Sequence, residues 1–228
     1  ILYGIYERIE RDSLSIYSNS ALYELTPKLL INKMEIKDRR CQTLLKQFEA
    51  KGCKIVLINL VNIYNIPCIS CYVYDLNHRI KHHGSTAVRS DFYSAVYAAL
   101  HEAFMQYIIY FVGTRDDYQS LLNKEAYFEY RQEEIMFFRN KNFIKAIPSA
   151  VKFNSIIEEL EYVINKLIKV GIRHILVAHT SPKIEYSLKS VKVIIPKLEL
   201  YGINQFRPSP FWHKKVNSTI ELIRHLPG

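Results

Sequence analysis

Glycine and proline are scarce in this chain, 7 and 8 among 228 residues, and they are too scattered to mark a linker, so the sequence is read as one domain spanning 1–228. No run of about 18 apolar residues occurs, which argues against a membrane-spanning helix; the apolar stretch at 104–112 is too short. The basic-then-apolar layout of a secretory signal is missing at the start, and the default expectation is a cytoplasmic protein. The glycine-rich phosphate loop G-x-x-x-x-G-K-[ST] is also missing, so nucleotide binding, if any, must use another device. Cysteine is limited to Cys41, Cys53, Cys68 and Cys71. A zinc site built on Cys68-x-x-Cys71 would need a second pair, and on a strand these thiols would face opposite ways. Core packing is the simpler role. The eight histidines form no linear metal motif; His82 and His83 beside Gly84 are expected in a loop, and His179 at the close of a strand.

What is plentiful is hydrophobic and basic. A hydrophobic content of 49% is enough for a sizeable core, and the aromatic side chains include 17 tyrosines and 11 phenylalanines. The net charge of +9 raises a basic nucleic-acid-binding module as one alternative function. The cations are spread, however, with only modest groups such as Lys37-Asp38-Arg39-Arg40, and no nucleic-acid motif accompanies them, so nucleic acid is not the expected partner.

Periodicity predicts helices near 2–24, 38–51, 90–112 and 154–170 and strands near 54–61, 67–75, 173–179 and 190–196. That order predicts an α+β fold with helices packed on one side of a mixed or mostly antiparallel sheet. The segment 123–142, where charged residues interrupt Phe and Tyr, reads as a helical insertion or a lid. On the first helix, Glu7, Glu10 and Arg11 share one stripe at i, i+3 and i+4. Two hard oxygen donors beside a planar cation suit Mg²⁺ bridging phosphates, although solvated helix faces carry such residues too. On the third helix, capped by Ser90 or Asp91, Glu102 and Gln106 lie one turn apart on a largely apolar wall, where an unpaired polar group costs about 1–3 kcal/mol and calls for a partner.

Taken in order, Glu7-x-x-Glu10-Arg11-Asp12, then Ala99-Leu100-x-Glu102-x-x-x-Gln106, then Gly113-x-Arg115-Asp116-Asp117, resemble the YcaO family. Asn65-Ile66-Pro67 is similar to that family's turn before a strand, and Val191 to Glu199 resembles its C-terminal strand, so the similarity runs to about Arg207. The family's earlier glutamate helix S-x-x-E-x-x-E-R has no counterpart, Gly84-Ser85-Thr86-Ala87 stands where G-x-G-A is usual, and Pro208-Ser209-Pro210 only partly echoes its proline-rich tail. The chain opens at Ile1, and the domain is expected to be N-terminally incomplete. The resemblance implies ATP and Mg²⁺ as cofactors. Glu7 and Glu10 would hold the metal, while Arg11, Glu102, Gln106 and Arg115 would bind the nucleotide around a centrally buried long helix. It implies phosphorylation of a peptide backbone amide for azoline-forming cyclodehydration or for thioamidation of a ribosomally made peptide or protein, including the modification of a ribosomal protein. No catalytic residue is assigned. A leader-binding or sulfur-transfer partner protein, or a homodimer, would accompany that activity; a non-catalytic YcaO-like docking subunit is the other reading of the same motifs.

Overall fold

The computed structural model describes residues 1–20, 22, 25, 28–75, 80–112, 151–180, 189–199 and 208–226. The expected segment 123–142 and Arg115 lie outside them.

Local chemistry sets most element ends. Helix α1 (Leu2–Ser18) stops short of the expected 24 because the Asn19 amide and the Ser20 hydroxyl donate to the Ser15 and Ile16 carbonyls at 2.9 and 2.6 Å, satisfying the helix end with side chains. Helix α2 (Arg39–Ala50) is capped by Asp38, which accepts the Arg40 and Cys41 N–H groups. Asp91 caps α3 (Phe92–Val112) in the same way, taking the Ser94 N–H at 2.7 Å. Ser155 caps α4 (Ile156–Lys169), which ends at Gly171 with φ of 84°, a conformation that favours glycine. Helix α5 (Trp212–Arg224) was not expected: its polar sequence carries few apolar residues, and burial of Val216, Thr219 and Ile223 supplies the packing.

Strands β1 (Cys53–Asn59), β2 (Cys68–Asp75) and β3 (Ile80–Val88) form an antiparallel sheet in that order. β4 (Leu176–His179) and β5 (Val191–Ile194) form a second antiparallel pair. The fold is α+β. β3 replaces the expected loop at His82 and His83. Its pairing shifts between Cys71 opposite Ser85 and Val73 opposite His82, so two residues of β3 oppose Tyr72 alone. Gly84 sits in that bulge because a Cβ there would fall 1.4 Å from the Cys71 carbonyl oxygen.

Helices cover both faces of the three-stranded sheet, a correction to the one-sided arrangement expected from element order. On one face Ile55, Leu57, Ile69, Cys71 and Ala87 meet α2 and α3; on the other Val56, Ile58, Cys68 and Val88 meet α1, with α4, β5 and α5 beyond. The period-2 alternation of strands is what gives one sheet two cores. Cys68 and Cys71 fall in different cores, and all four cysteines are buried and free. Helix α3 is not buried all round: Ala95, Val96, Ala99, Leu100 and Ala103 face the sheet, while His101, Glu102, Met105 and Ile108 are exposed. No helix among the described residues is long and apolar enough to cross a membrane.

Candidate functional site

Because α1 buries Ile5, Ile9, Asp12 and Ile16, its opposite stripe is left outward, and there Glu7 and Glu10 line a cleft of about 620 Å³ with Glu102 of α3. Arg40, Arg89, His101 and Glu159 also line it. Four carboxylates from three helices thus share one depression, although Glu159 is already engaged by the Tyr6 and Ser90 hydroxyls.

Their electrostatics are unbalanced. Burial, then the charges of Glu7 and Glu102, push the Glu10 carboxyl up to about 8, against the opposing pull of Arg11 and Arg89. Partial burial and Glu7 likewise raise Glu102. Arg11 gives its Nε to Glu7 Oε1 at 2.8 Å, so one oxygen of Glu7 is already engaged. Arg11 is beside the cleft and does not line it; Gln106, half-buried one turn beyond Glu102, does not line it either. The partner that an apolar wall would demand for Glu102 is not needed, since that stripe of α3 faces solvent.

Several lining residues escaped the sequence reading because they come from elements that only tertiary packing brings together. Arg89 follows β3; its N–H donates to the Pro67 carbonyl at 3.2 Å, its Nη1 to Val88 O at 2.6 Å, and its guanidinium lies over the rings of Tyr3 and Tyr6 at 5.1 and 5.8 Å. Cation–π contact and the Nη1 bond hold that charge at the edge of the carboxylates, while the backbone bond to Pro67 fixes the residue's main chain. The Asn65-Ile66-Pro67 turn therefore fixes Arg89 as well as starting β2. Glu159 of α4 accepts the Tyr6 hydroxyl at 2.6 Å and the Ser90 hydroxyl at 2.5 Å, tying α4 to α1 and to the start of α3. On the far wall, Arg40 lies over the Tyr97 ring at 5.1 Å, and His101 stands 5.9 Å from it.

No group of three or more His, Cys, Asp or Glu among the described residues is already gathered as a metal cage. Mg²⁺ does not require one, being held by one or two carboxylates plus phosphate oxygens and water. Hard oxygen donors at a site where burial, and then the charges of neighbouring carboxylates, raise Glu10 fit such an ion.

A family model described as YcaO cyclodehydratase, ATP- and Mg²⁺-binding, matches residues 1–199. The chain belongs to the YcaO family. Solved structures agree on the fold. This YcaO chain resembles the heterocyclase TruD with a TM-score of 0.61 and 15% identity, over 94% of this chain and 30% of that one. A heterocyclase in complex with substrate and cofactor gives 0.57 and 13%, over 88% and 26%. The YcaO chain thus spans less than a third of the length of either protein. No curated protein matches it in sequence.

Further along α1, Asp12 belongs to a different arrangement. Its Oδ1 accepts from Lys215 Nζ at 2.5 Å and from the Glu199 N–H at 2.6 Å, and its Oδ2 accepts the Tyr64 hydroxyl at 2.6 Å. Lys215 also meets Glu199 Oε1 at 3.1 Å, and the Ser209 hydroxyl donates to that same oxygen. All four of Asp12, Tyr64, Glu199 and Lys215 are buried. The two ends of the family's motif pattern, Asp12 and Glu199, are joined through the structure of the core.

Proposed function

We propose that the chain provides part of a YcaO nucleotide site for ATP- and Mg²⁺-dependent activation of a peptide backbone amide, leading to azoline-forming cyclodehydration or thioamidation of a ribosomally made peptide or protein. The observation that carries this reading is the single cleft that Glu7 and Glu10 of α1 line together with Glu102 of α3. Glu7 and Glu10 would hold the metal through hard oxygen atoms, and Glu102 would border the nucleotide, with Gln106 one turn beyond it outside the cleft lining. Arg11, beside the cleft and bonded to Glu7, would meet phosphate charge from its edge, with Arg115 as the second cation that the family resemblance implies. Arg89 adds a cation whose tyrosine platform keeps it from collapsing onto the carboxylates.

In the reaction, a Cys, Ser or Thr side chain of the substrate, or an external sulfide, adds to the amide carbon. The amide oxygen then takes the terminal phosphoryl group of ATP, ADP leaves, and loss of phosphate completes the exchange. A Mg²⁺ ion held by Glu7 and Glu10 would supply neutralisation of the charge that develops on the transferring phosphoryl group. The chain's own guanidiniums would orient that group directly, and its carboxylates would do so through the cation they hold.

Calorimetric titration with Mg²⁺ and a non-hydrolysable ATP analogue tests the site. Replacing both Glu7→Gln and Glu10→Gln is expected to weaken binding by about a hundredfold, on the order of 2.7 kcal/mol. Variants that bind as the parent does would remove the nucleotide reading. A docking subunit without turnover is the second reading, favoured by the Arg11 bond that already engages Glu7. It predicts that the parent binds nucleotide weakly and that adding peptide releases no phosphate.

A further inference from the structure

A second, larger cavity of about 760 Å³ lies between the end of α4, the β1–β2 turn and α5, away from the acidic cleft and sharing no residue with it. Its chemistry is the reverse. Lys169, Lys197, Lys214 and His225 face it against a single carboxylate, Glu221, among the described residues. Lys215 also reaches it, but its ammonium is matched from inside by Asp12 and Glu199. Lys197 is held by the Gly171 carbonyl at 2.8 Å and lies over the Phe211 ring at 4.8 Å, so this cation is fixed in place. Lys169 and Lys214 are exposed at the rim.

The floor is apolar. Tyr64 and Ile172 are buried, Ile63 and Val170 are partly buried, and Phe211 and Leu222 remain 42% and 43% exposed at the mouth. At the end of α4 the Leu167 and Ile168 oxygens accept from Val170, Gly171 and Ile172, so these two carbonyls are already satisfied. A simple anion such as phosphate would use the lysines and leave Phe211 and Leu222 in water. A nucleic-acid backbone needs a run of cations along a surface, whereas these surround a concave site. Cations around exposed apolar side chains complement a polypeptide in which acidic residues flank a hydrophobic one.

We propose that this cavity binds an acidic peptide segment, seating an apolar side chain against Ile172, Phe211 and Leu222 while Lys169, Lys197 and Lys214 pair with its carboxylates. The inference is independent of the nucleotide reading, because the peptide is held with neither ATP nor Mg²⁺ present. Fluorescence anisotropy with a labelled Asp-Leu-Glu-Phe-Asp peptide, in buffer free of both, provides the test.

Lys169→Glu with Lys214→Glu is expected to weaken binding at least about tenfold, and Leu222→Ser about threefold. Lys192→Glu, an exposed charge reversal on β5 outside the cavity, should leave it unchanged. Thermal melts check that each variant is folded; the three substituted cavity side chains are all exposed. The proposal is overturned if the double variant binds like the parent. It is equally overturned if a peptide with Ser in place of Leu and Phe binds as tightly, which would mark a counter-ion surface only, or if inorganic phosphate displaces the peptide at equal concentration.

Discussion

Glu10 and Asp12 are two carboxylates on the same helix, two residues apart, and they meet opposite fates. Burial is the largest influence on both and pushes both upward. The next influence differs in sign. For Glu10 it is the negative charge of Glu7, whereas for Asp12 it is Lys215, which pulls the carboxyl back down with help from Tyr64 and the Glu199 N–H. Asp12 has its cation built into the fold, so it acts as structure, clamping α5 to α1. Glu10 faces more negative charge than the chain itself neutralises, which is the condition a bound cation would relieve.

The largest effect expected from breaking this comparison is on the clamp. Asp12→Ala leaves the buried Lys215 ammonium with only Glu199, and loss of one partner of a buried ion pair costs about 3–5 kcal/mol. Urea denaturation should show that loss as a lower midpoint. Tyr64→Phe removes a single hydroxyl donor to the same carboxylate and should cost about 1.5–3 kcal/mol in the same assay.

Glu10→Gln should move stability the other way. The folded state holds the Glu10 proton more tightly than the unfolded chain does, since its carboxyl rises from 4.5 to about 8. Between those values the folded state binds more protons, so this group's contribution to stability falls as pH rises through that window. The glutamine variant has no such slope. Parent minus variant, measured as denaturation midpoints across the window, should therefore decline with pH, and saturating Mg²⁺ with nucleotide should flatten the decline. Glu10 is only part-buried, so solvent moderates the size.

This contrast was half legible in the sequence. The spacing of Glu7, Glu10 and Arg11, together with the family resemblance, pointed to the outward stripe of α1, and Glu102 followed from its place on α3. Asp12 stood in the same motif, and nothing in its spacing distinguished a buried clamp from a ligand, because Lys215 lies on a helix that was not expected. Helix α5 escaped notice through its polar composition, and β3 because the alternation of apolar residues is broken at Lys81, His82, His83 and Gly84. Arg89 and Glu159 could not be paired with α1 from sequence, since the turn at Pro67 and the packing of α4 put them there. Local periodicity encodes which stripe faces out; what lies opposite it depends on long-range packing.

Arg11 offers the smallest effect on stability and the sharpest reading of the acidic cleft. Its bond to Glu7 is an exposed i, i+4 pair, worth about 0.3–0.5 kcal/mol, so Arg11→Gln should scarcely shift a melting curve. The variant releases one Glu7 oxygen and removes a positive charge that holds Glu10 and Glu102 down. Affinity for Mg²⁺ alone should then rise. If Arg11 also meets phosphate, affinity for Mg²⁺ with the ATP analogue should fall in the same protein. Calorimetry on both ligands separates the roles: opposite changes assign Arg11 to phosphate, while a rise for both makes it only a counter-charge for Glu7.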